Sequence, residues 1–525
     1  MIPPERLRVA GFGLLVVMGA TACAPSPAPN SQPATRNPQP AAIDAAELAR
    51  DLTAFAHDSM RGRETGTPDA WRAAAFLGKR LAELGLEPVG DSMYYQRVPL
   101  VRQVITPATK IFVTRNGVTR PIRAGDDVAP MLSLGDGQPE PRRAVDAELV
   151  FAGYAMTSPR FGRDDLSSLN LLNKVAVILH GAPPGVTGAE RDSLNSESDL
   201  AHQLARIAIR QPAGIVVLMT PETAKLYRQL YPSLIRDVRS QGVAIPPMLA
   251  ALDVPMLLFG EAKRGSPFLP SGWPADDKAQ PLGSSLLAAI DVRREPFTGY
   301  NVIGRVPGTD PALRSTYVAL GAHYDHVGSL PVQQGDSIAN GADDDGSGTV
   351  ALLAVAKAMV QRPTRRSTLF VWHAAEEKGL LGSAYFTAHP TVPIDSIVAM
   401  LNADMIGRNA RDRLYVVGPN AAQGRTSARL GEIVDSVNAA TAPPFSFDRT
   451  WDVFEHPEQI FQRSDHYNYA KRGVPVAFFT SGVHPEYHDV GDTADRIDYE
   501  KMRRVSNLLL EIARAVGNDP SRPRR

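Results

Sequence analysis

The chain has 525 residues, more than one ordinary hydrophobic core holds, so two folded units or one unit with a large insertion is expected. Lys+Arg and Asp+Glu number 56 each, which leaves no charge excess to attract nucleic acid or an anionic membrane surface. The single cysteine, Cys23, rules out an intramolecular disulfide and any zinc site built from cysteine pairs.

At the N-terminus Arg6 and Arg8 precede an apolar run from Val9 to Val17, followed by Met18, Gly19, Ala20, Thr21, Ala22 and Cys23. A basic start, a short apolar stretch and small residues before a cleavage point form a signal peptide, and the run is too short to span a bilayer comfortably. Cys23 directly after small residues resembles a bacterial lipobox, in which that cysteine is lipidated, although Ala20 stands where Leu is preferred. The plainer alternative is a signal peptide cut near Ala22 with Cys23 incidental. Either way export is expected. Ala24 in place of Asp after the cysteine favours an outer-membrane lipoprotein facing the periplasm over inner-membrane retention. Residues 24–42, rich in Pro, Ala, Ser and Asn, read as a flexible tether.

Order is expected from Ile43. Apolar residues at helical spacing run from Asp44 to His57. A second helix has Thr67 as N-cap, Pro68 at its first position and Gly85 as its stop. From Pro99 to Glu295 short β-like runs (Lys110–Thr114, Glu148–Gly153, Lys174–His180, Gly214–Met219) and one helix (Ser196–Arg210) alternate with Pro- and Gly-rich loops. From Gly299 onward strands (Asn301–Val306, Tyr317–Ala322, Thr368–His373, Ser396–Asn402, Arg413–Val417, Val474–Phe479) alternate with helices (Ser347–Val360, Arg425–Ala440, Tyr499–Val516). That alternation predicts an α/β fold with a largely parallel sheet covered on both faces. Ligands of such sheets bind beyond the carboxyl ends of the strands.

Chemistry-bearing residues recur at those ends. The first of these strands runs into His323-Tyr324-Asp325, and residues two apart on an extended chain share a face. Gly341 to Gly348 reads G-A-D-D-D-G-S-G ahead of an apolar helix. It fails as an EF-hand, because Gly341 and Leu352 would occupy ligand positions, and as a phosphate loop, because no Gly-Lys-Ser/Thr follows. Helix capping accounts for one or two of its aspartates but not for all three. Glu376-Glu377 and Asp404 close two further strands, where buried acids are costly unless something uses them. Arg463-Ser464-Asp465-His466 and Glu486-Tyr487-His488-Asp489 follow. No Gly-x-Ser-x-Gly elbow of a serine hydrolase is present.

The ordered set G-A-H-Y-D-H, G-A-D-D-D-G-S-G, A-A-E-E-K-G-L-L-G-S, N-A-D-M-I-G, R-S-D-H and Y-H-D-V-G-D-T resembles metallopeptidase family 28, the aminopeptidase Y/S-type exopeptidases. The resemblance implies a phosphorylase/hydrolase-like α/β/α sandwich with a mixed, mostly parallel sheet. L-V-F-A-G-Y and K-V-A-V-I-L-H-G are similar to an inserted α/β protease-associated domain. The expected division is signal peptide 1–23, tether 24–42, N-terminal part of the peptidase domain 43–125, insertion 126–294 and catalytic domain 295–525.

By that resemblance two Zn²⁺ ions are expected. His323 and Asp404 would hold one, Glu377 and His488 the other, and Asp344 would bridge them. Glu376 would be the general base acting on a water shared by the metals, Asp325 would orient His323, and Tyr487 would polarise the scissile carbonyl. The free amine of a peptide substrate would meet Glu376, Asp404 and the main-chain carbonyl of Arg463. Such chemistry is physically coherent, because zinc accepts imidazole and carboxylate donors and a base beside a ligand need not itself be one. Asp345 stands where the family often has Asn, and Asp489-Val490 where it has Thr-Pro. Neither change removes a ligand. A glutaminyl cyclase, a carboxypeptidase on the same fold and a non-enzymatic surface scaffold are the rival readings.

Overall fold

The computed structural model describes residues 43–523 apart from 125–126, 132–142, 159–162, 180–199, 219–232, 238–247, 252–278, 334, 420–426, 454–455 and 457–458. The expected signal peptide, the lipidation site Cys23 and the tether 24–42 lie outside the described residues.

Two helices open the described chain. Ala45–Phe55 starts where the Asp44 carboxylate accepts from the Ala46 N–H at 2.9 Å, and it buries Leu48, Leu52 and Phe55 on one face. Pro68–Leu84 is capped by Thr67 and ends at Gly85, whose φ of 78° suits a residue without a Cβ, as the sequence led one to expect. Between them Arg63 is fully buried. Its guanidinium donates to the carbonyls of Tyr324 (2.7 Å), Asn340 (2.6 Å) and Gly341 (2.9 Å), tying this segment to the loops described below.

A ten-stranded mixed sheet organises the fold. Its centre is four parallel strands in the order Ser367–His373, Tyr317–His323, Ile397–Ala403, Val476–Thr480. In the first three of these every residue is buried, which is what helices on both faces demand of a parallel strand. The apolar helix Gly348–Gln361 and the amphipathic helix Tyr499–Asn518 contribute to the core on one face, with Leu352, Val355, Leu508, Leu509 and Ile512 at its heart. Antiparallel strands flank the centre: Val292–Val306, Tyr95–Ile105 and Ser233–Asp237 on one side, Arg413–Val417 on the other. The strand–helix alternation accounts for the parallel centre.

A second sheet of eight strands lies between Ile105 and Val292 in the chain. Its order is Val118–Pro121, Lys110–Arg115, Gln280–Ile290, Arg143–Phe151, Val175–Leu179, Gly214–Leu218, Met248–Ala251, Val128–Met131. It has its own apolar cores, one of them built on Val113, Leu149, Val177, Val216 and Leu286. Tyr95–Ile105 and Val292–Val306, the large-sheet strands on either side of this segment in the chain, pair along their length.

Successive strands diverge at the middle of the large sheet. After Tyr317–His323 the chain adds Ser367–His373 on one side and then Ile397–Ala403 on the other. Such a reversal opens a crevice outside the carboxyl ends of the strands.

Candidate metal centre and active site

His323 is the last residue of its strand and is 1% exposed. Its Nε2 lies 3.2 Å from Asp344 Oδ1, 3.6 Å from Asp404 Oδ1 and 3.9 Å from Glu376 Oε2. On the far side of Asp344, His488 Nε2 stands 3.1 Å from Asp344 Oδ2 and 2.9 Å from Glu377 Oε2. Five donors expected from the sequence therefore meet in one place, with Asp344 between the two imidazoles. Tyr487 and Arg463 line the same cavity as His323, Asp344, Glu376 and Asp404, and Tyr487 stacks on His488 at 3.9 Å between ring centres.

Local structure explains these positions. Asp344 and Asp345 have non-helical dihedrals ahead of helix Gly348–Gln361, and the turn begins at Gly341, φ 57°. A Cβ on Gly341 would lie 2.3 Å from the Asp344 carbonyl, so only glycine fits. The Asp345 carboxylate is taken up by main-chain donors. One of its oxygens accepts from the N–H groups of Gly348 (2.9 Å) and Met405 (3.2 Å), the other from that of His323 (3.2 Å). The aspartate cluster is thus divided: Asp344 faces the imidazoles and Asp345 ties strand ends and helix together.

Asp325 meets His323 through its main chain. His323 Nδ1 lies 3.1 Å from the main-chain carbonyl of Asp325, whereas the nearest carboxylate oxygen is 4.0 Å away. The Asp325 carboxylate instead accepts from the Glu376 N–H at 3.1 Å and from Thr65 Oγ1 at 2.9 Å. Its side chain therefore steadies the backbone of Glu376, while its carbonyl meets the imidazole. Asp404 Oδ2 accepts from Ser464 Oγ at 2.7 Å, which leaves its other oxygen toward His323.

The sequence reading assigned no role to His326. This fully buried imidazole places Nδ1 2.8 Å from Glu377 Oε1 and 3.7 Å from Asp344 Oδ2. His326, Asp344, Glu377 and His488 bring donor atoms within 4.8 Å of one another, as do His323, Asp345 and Asp404. Both Asp345 oxygens already accept main-chain hydrogen bonds, so Asp344 is the better donor beside His323. The presence of H-Y-D-H was the available signal for His326, but its spacing alone gave no reason to prefer it over a surface residue. The cavity walls Met405, Trp451, Ile460, Phe478, Thr480 and Val483 come from four separate segments and left no sequence signature.

Charge tests whether a metal fits. Burial alone would lower His488, but the Glu377 and Asp344 carboxylates outweigh it and push it up to about 10. Burial alone would raise Glu377, yet His488 brings it down to about 2. Glu376 is driven well above the usual carboxylate range by burial, reinforced by Glu377 and Asp404 against the pull of His323. Without metal, then, buried acids borrow positive charge from imidazoles. Asp344 Oδ2 and His488 Nε2 are moreover buried without a hydrogen-bond partner despite lying 3.1 Å apart. Unsatisfied buried nitrogen and oxygen donors with an excess of negative charge fit divalent zinc, which takes imidazole and carboxylate together.

Imidazoles and carboxylates thus gather at the switch point of an α/β sheet as a candidate metal centre. Residues 301–513 match the model of peptidase family M28. A "probable leucine aminopeptidase 2" from Aspergillus oryzae is 27% identical over 257 residues, which cover 44% of this chain and 47% of that protein. "Leucine aminopeptidase 2" from Trichophyton rubrum is 27% identical over 259 residues, covering 44% of this chain and 48% of that protein. The chain thus spans about half the length of the curated relatives it matches. Among solved structures, an aminopeptidase from Aneurinibacillus sp. strain AM-1 superposes with a TM-score of 0.57 at 17% identity, covering 92% of this chain and 98% of its own. A zinc aminopeptidase from Bacillus subtilis gives 0.53 at 17% identity, covering 91% of this chain and 97% of its own. At these identities the two structures speak for the fold.

Proposed function

We propose that this protein is a zinc metalloaminopeptidase that holds two zinc ions and removes N-terminal residues from peptides. The observation that carries the proposal is the placement of Asp344 between His323 and His488, 3.2 and 3.1 Å from their Nε2 atoms, with Glu376 beside them. His323, Asp344 and Asp404 would hold one ion, and Asp344, Glu377 and His488 the other. Bound there, zinc would supply Lewis acidity and a water of lowered pKa.

The chain's own groups supply the rest. Glu376 is close to the donors without occupying the position between the imidazoles, so it is free to take the proton of the attacking water and return it to the leaving amine. Tyr487 lines the cavity and donates toward the carbonyl of the scissile bond. Glu376, Asp404 and the Arg463 carbonyl receive the substrate ammonium, which sets the first peptide bond over the metals. The walls Met405, Trp451, Ile460, Phe478 and Val483 are apolar and suit an apolar N-terminal side chain.

A panel of aminoacyl-p-nitroanilides beside N-acetylated controls, with and without a zinc chelator, tests this. Cleavage is expected for apolar residues with a free amine and is expected to stop with the chelator. Equal cleavage of acetylated substrates would remove the amine-binding role, and chelator-resistant cleavage would remove the metal.

Export and lipidation at Cys23 form part of the same proposal and rest on the N-terminal sequence. Cys23→Ser is expected to move the protein from the membrane to the soluble fraction. Unchanged membrane association would dismiss the lipid anchor.

A further inference from the structure

The loop that delivers Tyr487 and His488 is held at two points. On its outer side Glu486 pairs with Arg408 at 2.7 Å and with Arg496 at 2.5 Å. On its inner side lies Asp492, fully buried. No lysine or arginine among the described residues comes within ion-pair distance of Asp492, and His484 Nε2 is 3.9 Å away. The equally buried Asp343 adjoins it. A carboxylate in such a place is costly unless its oxygens are satisfied. They are satisfied by main chain. Both oxygens accept from the Asp343 N–H and one from the Asp344 N–H, each at 3.0 Å. The Asp492 carbonyl accepts from the Ala342 N–H at 3.1 Å.

One residue therefore grips three successive residues of the turn that carries Asp344, and it belongs to the loop that carries His488. The grip matters because neither donor is held by its own local structure. Asp344 has φ −100° and ψ 104° inside a helical turn, and His488 has φ 55°, a conformation that a residue with a Cβ adopts only when its surroundings impose it.

We infer that Asp492 is a positioning residue for the metal centre, which locks the Asp344 turn to the His488 loop so that the two donors stand ready to share one ion. The inference rests on the two-zinc reading above. Asp492→Asn keeps the shape but replaces one accepting oxygen with an N–H₂ that faces main-chain donors.

The test is a zinc titration of apo wild type and apo Asp492→Asn against a competing chelating dye, together with the visible spectrum of the cobalt-loaded forms and the melting temperature of each apo protein. The expected result is a 10–100-fold weaker affinity for one of the two ions, about the effect of losing an outer hydrogen-bond partner. An altered cobalt spectrum and recovery of activity in excess zinc are expected with it. Two ions bound with wild-type affinity and an unchanged spectrum would overturn the positioning role, as would a lowered apo melting temperature with unchanged zinc affinity. Should Asp492→Asn not fold, Asp492→Glu, which displaces the carboxylate without removing it, undergoes the same titration with the same two results. Uptake of fewer than two ions by the wild type would instead sink the two-zinc reading.

Discussion

Glu376→Gln lowers kcat by about 10²–10⁴-fold, the usual contribution of a positioned general base, and leaves zinc content unchanged. The expectation follows from where the side chain sits. Glu376 Oε2 approaches His323 Nε2 to 3.9 Å, farther than Asp344 Oδ1 at 3.2 Å, so the donors at the centre do not depend on it. Its main chain is steadied by Asp325, which accepts from the Glu376 N–H, and the glutamine amide occupies the same volume without accepting a proton. A KM that changes little would place the loss in the chemical step, whereas a large rise in KM with kcat retained would leave Glu376 only its contact with the substrate amine and remove it as the base. Full activity in the variant would remove Glu376 from catalysis.

Much of this centre is legible in sequence because each chemical residue closes a strand or opens a loop with a strong periodic signature. Seven-residue buried strands end at His323, His373 and Ala403, so His323, Glu376, Glu377 and Asp404 fall at predictable places. Thr67, Pro68 and Gly85 likewise mark a helix by local chemistry alone. Roles set by tertiary packing were not legible. Whether Asp325 meets His323 through its carboxylate or its carbonyl depends on where Thr65 and the Glu376 N–H lie, and Thr65 is far away in sequence. Asp492 and His326 stand inside Y-H-D-V-G-D-T and G-A-H-Y-D-H, but their partners are main-chain amides and a carboxylate on other segments, to which residue spacing is blind. The antiparallel flank escaped for a similar reason: Ser233–Asp237 arises in the chain between strands of the second sheet yet pairs with Tyr95–Ile105 in the large sheet.

Adjacent aspartates at the centre should separate cleanly by mutation. Asp344→Ala removes the one carboxylate that reaches both imidazoles, 3.2 Å from His323 Nε2 and 3.1 Å from His488 Nε2. Both metal positions lose a donor, so zinc affinity should fall by more than the roughly 10–100-fold that loss of an outer partner costs, and activity should fall with it. Thermal stability of the zinc-free protein should change less than that of the loaded one, because binding to the folded state alone is what stabilises it. Asp345→Ala leaves those donors in place but strips the main-chain N–H groups of His323, Gly348 and Met405 of their acceptor in a fully buried setting. Each orphaned donor costs about 1–3 kcal/mol, so this variant should be destabilised by at least about 3 kcal/mol even without metal. Zinc binding by calorimetry and urea unfolding of both apo variants distinguish the two roles. If Asp345→Ala loses zinc while retaining apo stability, and Asp344→Ala does the reverse, the bridging position belongs to Asp345, and the division of the aspartate cluster argued from hydrogen bonding is wrong.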